Sequence, residues 1–170
     1  SANLSSDTIP NPTANPATTT VYTVLVKDSI GCVASDSVTV TVNSVPTPII
    51  TGVSATCLGQ TQSYSTTDSV GNIYLWSVTG GTPATGNTSS INITWNTLGT
   101  GNIILVETTP PTNCTSSDTL NVIINETPVV LAGSDSSICA GYPITISASG
   151  IAGTPPLSYT WDQSLGAGIS

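Results

Sequence analysis

The side chains with the greatest chemical potential in this sequence are its four cysteines, Cys32, Cys57, Cys114 and Cys139. The chain has no histidine and no Cys-x-x-Cys spacing, so neither a zinc site nor a Ser-His-Asp triad is expected. Four cysteines in a chain with only 6% charged residues favour disulfides in an oxidising compartment. The alternative is four free thiols in a reducing cell.

Carboxylates are the other candidates for chemistry. Asp28 with Asp36, and Glu107 with Asp118, flank sequence turns and could approach each other as catalytic pairs. A simpler interpretation is that they are solvated turn ends. No Asp-x-Asp-x-Asp run collects the oxygens that calcium needs. We therefore predict no catalytic site, no metal site and no cofactor, and a protein that is not an enzyme.

Trp95 has two interpretations. Asn92, Thr94 and Asn96 surround it, and an exposed indole among polar side chains could stack on a sugar ring. Ile91 and Ile93 precede it with a period of two, which instead predicts the inward face of one strand. The sequence is compatible with both interpretations, glycan stacking and core packing.

The charge balance excludes several classes of partner. The chain carries one Lys or Arg against nine acidic residues, for a net charge of −8. It therefore cannot neutralise a nucleic-acid backbone, and an anionic membrane surface would repel it. No apolar run approaches the roughly 20 residues of a spanning helix, so we expect no membrane insertion. No signal peptide opens the sequence, so we expect a processed protein or an excerpt of a longer one.

Internal similarity organises the chain. The segment from Asp36 to Asn43 matches the segment from Asp118 to Asn125, an offset of 82 positions. Cys32 with Cys114, and Cys57 with Cys139, keep the same offset. We predict three parts: 1–43 as the C-terminal half of a repeat, 44–125 as a complete repeat, and 126–170 as the N-terminal half of the next.

The repeat also predicts how the cysteines pair. Cys57 precedes the second strand of the complete unit, and Cys114 lies in its last hairpin. We expect a Cys57–Cys114 disulfide, worth about 4 kcal/mol by the chain-entropy estimate. In the same register, Cys32 and Cys139 should each pair with the equivalent cysteine of an adjoining repeat segment.

The local pattern is β throughout, with no convincing helical period. Alternating and β-branched residues predict a hairpin of strands 20–26 and 36–42. Six short strands separated by turns indicate tandem antiparallel β-sandwiches of immunoglobulin type. In the complete unit they are expected at 47–53, 61–67, 72–79, 90–96, 101–108 and 117–124.

The residues also carry a resemblance. The run Val21-Tyr22-Thr23-Val24-Leu25-Val26-Lys27-Asp28, followed by Gly31-Cys32 and Ser37-Val38-Thr39-Val40, resembles the end of PKD-like, immunoglobulin-like repeats. Tyr74-Leu75-Trp76 and Tyr159-Thr160-Trp161 resemble their front half. Such repeats occur in large surface adhesins of Bacteroidota, including gliding-motility adhesins exported by type IX secretion. The resemblance implies a stalk or adhesin.

One tripeptide pattern also resembles a modification signal. Asp followed by Ser or Thr and then an aliphatic residue is similar to the O-glycosylation signal of Bacteroidota, although Asp-Ser and Asp-Thr are also ordinary turn chemistry. The candidate acceptors are Thr8, Ser29, Ser37, Ser69 and Thr119.

These observations lead to a functional hypothesis. We expect a non-catalytic stalk or filament segment of a repetitive adhesin, located outside a bacterium and attached to its outer membrane. Its partners would be neighbouring repeats, and a surface polysaccharide or another surface protein. The alternative is a carbohydrate-binding or spacer module of a secreted hydrolase, which depends on Trp95.

Overall fold

The computed structural model describes residues 3–161, and within that range the chain forms strands and no helices. The local β pattern of the sequence is thereby confirmed. The twelve strands are β1 (Thr20–Lys27), β2 (Val33–Val40), β3 (Ala55–Cys57), β4 (Thr61–Ser65), β5 (Ile73–Thr79), β6 (Gly81–Thr82), β7 (Thr85–Gly86), β8 (Ser90–Trp95), β9 (Gly99–Thr109), β10 (Cys114–Asn125), β11 (Val129–Ala132) and β12 (Ala148–Ile151).

Two larger sheets are built from strands between Ala55 and Asn125. One has five strands in the order β3-β10-β9-β5-β7, and the other has three in the order β4-β8-β6. The inward faces of both sheets contribute to one hydrophobic core, an arrangement consistent with a β-sandwich. We call this part of the chain the central sandwich.

Alternation along the strands explains which side chains enter the core. Every second residue of β5 is buried, and β8 buries Ile91, Ile93 and Trp95 in the same way. Ile103 and Leu105 of β9 and the C-terminal part of β10 complete the layer. Because the side-chain period of a strand is two, the intervening polar residues face outward.

One strand pair departs from the expected antiparallel pattern. β3 runs parallel to β10, with Ala55 opposite Ile123 and Cys57 opposite Asn125. The strand expected at 47–53 is not continuous, since only Thr51 forms a bridge there, with Ser65. The chain therefore enters the central sandwich beside the start of β10 and leaves it at the end of β10. We call these the entry end and the exit end.

Two smaller hairpins flank the central sandwich in sequence. β1 pairs with β2 and β11 pairs with β12, each as a two-stranded antiparallel sheet. The hairpin expected at 20–26 and 36–42 is present, with β2 beginning and ending earlier than expected. Most apolar side chains of both hairpins are exposed, unlike those of the central sandwich.

Candidate functional site: a clamp between the first and last segments

The first and last segments of the central sandwich meet along β10. Ile50 contacts this strand at Asp118, Thr51 then pairs with Ser65 of β4, and residues 54–58 lie beside the last residues of β10. The contacts between the two segments form what we call the terminal clamp. A clamp of this kind holds the incoming chain to the outgoing chain, so any tension between the two passes through it.

Asp118 anchors the entry side of the terminal clamp. One carboxylate oxygen, Oδ2, accepts a hydrogen bond of 2.7 Å from the backbone N–H of Ile50. The other, Oδ1, accepts one of 2.8 Å from the N–H of Thr119. The first bond joins residues 68 positions apart, so Asp118 fixes where the incoming chain meets the last strand.

The exit side of the terminal clamp is held by the backbone. The N–H of Ile123 donates to the carbonyl of Ser54 at 2.9 Å, and the N–H of Leu58 donates to that of Asn125 at 2.8 Å. Side chains add longer bonds, from Asn125 Nδ2 to the Thr56 carbonyl at 3.5 Å and from Thr127 Oγ1 to that of Leu58 at 3.4 Å. Residues 55–57 run parallel to residues 123–125 of β10.

The predicted Cys57–Cys114 disulfide is contradicted by this register. Cys57 lies opposite Asn125, whereas Cys114 begins β10 at the other end. Eleven residues of extended strand separate the two levels, which is roughly 35 Å at the ordinary rise. A disulfide needs α-carbons within about 7 Å. All four cysteines are free, and the pairing of Cys32 and Cys139 with adjoining repeats stays a prediction.

Trp95 is fully buried, which contradicts its assignment to glycan stacking. Its Nε1–H donates to the hydroxyl of Tyr64 at 3.1 Å, and the two rings meet edge to face with centroids 6.1 Å apart. A Cβ at position 101 would overlap the indole, so Gly101 is what allows β9 to pass so close. The alternate spacing of Ile91, Ile93 and Trp95 in β8 therefore indicated core packing.

Each carboxylate considered for catalysis accepts a hydrogen bond from another part of the chain. Asp28 Oδ1 accepts the N–H groups of Ile30 and Cys32 and so closes the turn after β1. Glu107 is buried, and its Oε1 accepts a 2.6 Å hydrogen bond from Asn72 Nδ2. Asp118 serves the terminal clamp instead. The contacts of Asp28 and Asp118 are structural uses of acidic residues, as the turn interpretation anticipated for Asp28.

The five candidate O-glycosylation acceptors all lie on the surface. Two of them have side-chain partners, since Ser37 shares a 2.8 Å hydrogen bond with Thr23 and Thr8 a 3.3 Å bond with Ser6. The aspartates that precede Ser37 and Thr119 each accept the N–H of the following residue. Access for a sugar exists at these positions, and modification stays a prediction.

Clusters of metal-binding side chains and membrane-spanning helices were sought in the part of the chain that the structure describes. Within 3–161 no group of three or more His, Cys, Asp or Glu side chains could hold a metal ion. No helix in that range could cross a membrane. A polar cleft of about 480 Å³ at the entry end is lined by Glu107, Asn72 and residues 44–47 among others, and its buried carboxylate is already bound by Asn72.

Sequence reasoning missed the three contacts that organise this region: Asp118 with Ile50, Tyr64 with Trp95, and Asn72 with Glu107. The recurrence of Asp36 as Asp118 was the one signal that could have pointed to the first. A search of known protein families finds no model that matches the chain, and no curated protein matches it either.

Proposed function

We propose that the chain is a non-catalytic, load-bearing segment of a large repetitive surface protein, a stalk built from tandem immunoglobulin-like, PKD-like units. The observation that carries this proposal is the parallel terminal clamp. A chain that enters at one end of a sandwich and leaves at the other is suited to end-to-end stacking. Each unit then contacts mainly its neighbours, so the stalk can lengthen without redesign.

The connectivity of the central sandwich supports the immunoglobulin-like assignment. Strands β4 and β8 belong to one sheet, whereas β5 and β9 belong to the other, with β10 beside β9. Immunoglobulin-type sandwiches alternate between sheets in the same way, with the last two strands adjacent. The 82-residue internal repeat supports the tandem arrangement.

The geometry of the clamp supports a mechanical role. Tension applied to the two ends of the sandwich would pull residues 50–58 and β10 in opposite directions along their length. Every bond between them would then be loaded together and would have to break together. Pulling the same strands apart sideways breaks bonds one after another, which takes less force.

The surface chemistry fits an extracellular location. With 6% charged residues and a single lysine, the chain offers trypsin one site, Lys27. Sugars on Thr8, Ser29, Ser37, Ser69 and Thr119 would hydrate a surface that has few charges. The carbohydrate-binding alternative has lost its main support, because Trp95 is buried.

Single-molecule force spectroscopy tests the load-bearing role. With the chain held at its two termini, we expect one dominant force peak, the unfolding of residues 44–125. It should lengthen the chain by roughly 250 Å, from about 3.5 Å per unfolded residue minus the folded length. The matched control holds the same protein at residues 102 and 121, whose side chains face each other across β9 and β10. This geometry should unfold at clearly lower force. Equal forces in the two geometries would contradict the proposal.

A further inference from the structure

Glu107 is a charged side chain at a position where the strand pattern favours an apolar one. In β9 every second residue from Gly101 onward is buried, and Glu107 continues this series after Ile103 and Leu105. The residue is 3% exposed. Burying a carboxylate is costly unless a cation or several hydrogen-bond donors compensate it. The packing of β9 alone therefore gives no reason for a glutamate at this position.

The described residues compensate this carboxylate only in part. Oε1 of Glu107 accepts a hydrogen bond of 2.6 Å from Asn72 Nδ2, and residues 3–161 supply no further donor to it. In the same range every buried polar side-chain atom has a partner, so Oε2, which has none, is open to solvent. Lys27 is the one lysine or arginine of the chain, and it does not contribute to the surroundings of Glu107.

The open oxygen lies in the polar cleft of about 480 Å³ at the entry end, which Glu107 and Asn72 both line. Most of the remaining lining is Ser and Thr, with Val45, Pro46 and Ile49 as its apolar part, and none of the described lining residues is aromatic. None of the described residues before Ser44 contributes to it. The cleft therefore belongs to the central sandwich and to the short segment that leads into it.

The first copy of the repeat has an aliphatic residue in place of Glu107. Val26 lies opposite Ala34 in the β1–β2 hairpin, as Glu107 lies opposite Ser116 in β9–β10. Ala34 and Ser116 are 82 positions apart, which is the offset of the repeat. Val26 is therefore the counterpart of Glu107, and the hairpin of the repeat forms without a carboxylate.

Asn72 is replaced in the same way in the following repeat segment. It precedes Tyr74 by two positions, as Leu157 precedes Tyr159. The polar pair of Asn72 and Glu107 is thus specific to the complete unit and is not part of the repeated pattern. A buried polar pair that the repeated pattern does not require is typical of a functional site.

The groups left open in the cleft are hydrogen-bond acceptors beside a negative charge. Asn72 donates through Nδ2, which leaves its Oδ1 to accept, and Oε2 of Glu107 accepts as well. A fitting ligand must therefore donate hydrogen bonds and carry positive charge. A lysine ammonium group has three donors on one compact charge, and its aliphatic stem can lie along apolar side chains such as Val45 and Ile49.

Other cationic ligands fit this cleft less well. Calcium takes roughly six to eight oxygen ligands, often from several carboxylates, and Glu107 is the one carboxylate among the described lining residues. A guanidinium group pairs best with both oxygens of a carboxylate, and Asn72 occupies one of them. An amino sugar is commonly held against an aromatic ring, which the described lining lacks.

We propose that the cleft at the entry end binds a lysine side chain of a partner polypeptide, with Glu107 as its counter-ion and Asn72 as the residue that orients the carboxylate. The chain has a single lysine in 170 residues, so its own repeats are a poor source of the group and the partner is a different, basic protein. The net charge of −8 favours the approach of such a partner. The inference goes beyond the load-bearing role and does not depend on it.

A titration of the 170-residue chain with Nα-acetyl-lysine N-methylamide, followed by the amide chemical shifts in NMR spectra, tests the site. Only the ε-ammonium group of this probe is charged. We expect saturable shifts at the residues that line the cleft, and none with the norleucine analogue, which has the same stem without the ammonium group. Glu107→Gln should weaken binding by about tenfold or more, because the counter-ion is lost. The matched control Glu126→Gln changes an exposed glutamate outside the cleft and should bind as the parent does.

The stability of Glu107→Gln separates a binding role from a structural one. Glutamine keeps the shape of the side chain and an acceptor for Asn72, but it removes the buried charge. The urea midpoint of this variant should therefore equal or exceed that of the parent. A lower midpoint would overturn the proposal, because the carboxylate would then serve the fold.

A second variant takes both aliphatic residues from the other copies of the repeat. Asn72→Leu combined with Glu107→Val should still unfold cooperatively and should bind no lysine probe. Binding of the probe by this double variant would overturn the proposal. So would equal affinity of the parent and Glu107→Gln, or equal affinity for the lysine and norleucine probes.

Titrations with glucosamine and with calcium chloride distinguish the other ligand classes. Shifts at the cleft with either of these, and none with the lysine probe, would overturn the proposal in favour of an amino sugar or a metal ion. A chain that ignores the lysine probe but gives the expected difference between the two pulling geometries would lose only this inference. Lysine binding with equal forces in the two geometries would instead contradict only the load-bearing role.

Discussion

At the scale of single residues, the Tyr64–Trp95 pair organises the centre of the sandwich. Both side chains are almost entirely buried, one from each of two neighbouring strands, and the indole N–H reaches the phenol oxygen. A buried N–H without an acceptor is costly, whereas a buried hydroxyl can both accept and donate. Tyr64 therefore allows a tryptophan to lie where a purely apolar neighbour would leave its N–H unpaired.

Replacing Tyr64 by Phe should destabilise the sandwich. The ring contact is kept, but the Trp95 N–H loses its acceptor, which should cost about 1–3 kcal/mol of unfolding free energy. Urea unfolding followed by tryptophan fluorescence measures this. Tyr142→Phe is the matched control, since Tyr142 is exposed and its change should cost less than about 0.5 kcal/mol. Equal stability of the two variants would contradict the assigned role.

The same residue predicts a response to alkaline pH. Burial raises the pKa of Tyr64 above its ordinary value of 10.0, and the hydrogen bond from Trp95 opposes this in part. The unfolded chain therefore releases the phenol proton at lower pH than the folded chain, so this contribution to stability is full below pH 10 and is lost as pH rises through the folded pKa. Tyr64→Phe should reduce this alkaline loss, and an unchanged slope would contradict it.

At the scale of elements, the terminal clamp shows how a repeated aspartate is used. Asp118 joins β10 to the incoming chain at Ile50, whereas its repeat counterpart Asp36 accepts a hydrogen bond within its own strand, from the N–H of Ser37. The two aspartates share a sequence motif but lie in different surroundings. The difference makes Asp36 an internal reference for the clamp.

Asp118→Ala should lower the unfolding free energy of the central sandwich by about 1.5–3 kcal/mol, because a charge-assisted bond to the Ile50 N–H is lost. Asp36→Ala should leave that transition within about 0.5 kcal/mol of the parent. Urea unfolding of both variants, with circular dichroism at equilibrium, checks the difference. Similar losses in the two would show that the clamp contributes nothing specific.

Element type was predictable, whereas element partners were not. Alternation in β5 and β8 is a local property of the chain, so their strands and inward residues could be inferred from spacing. The parallel β3–β10 contact joins residues 68 positions apart, and nothing local in either segment specifies it. The strand expected at 47–53 differs for the same reason, since its hydrogen bonds go to three separate places: the side chains of Thr66 and Asp118 and the backbone of Ser65.

At the scale of the whole molecule, two of the cysteines lie at opposite ends of the central sandwich. Cys57 lies opposite Asn125, the last residue of β10, whereas Cys114 is the first residue of that strand. Stability of the central sandwich therefore comes from its core and the terminal clamp. A link inside the sandwich would require a different register along the whole of β10.

Oxidation should consequently leave the central sandwich unchanged. We expect Cys114→Ser and Cys57→Ser to alter the unfolding free energy by less than about 1 kcal/mol under oxidising conditions, and reductant to have no effect on the parent chain. A Cys57–Cys114 disulfide would instead make both variants less stable by about 4 kcal/mol. Peptide mapping without reduction provides the second check, and a Cys57–Cys114 linked peptide would contradict the register.

The sequence alone determined that this chain is built of strands and that segments of it recur at an offset of 82 residues. Those properties follow from composition and from short-range spacing, which no distant residue can alter. Only the tertiary structure decided that Trp95 is core, that Cys57 and Cys114 lie at opposite ends, and that Asp118 holds the incoming chain. The reason is physical: strand partners, register and burial depend on residues far apart in the chain that meet only when the sheets form.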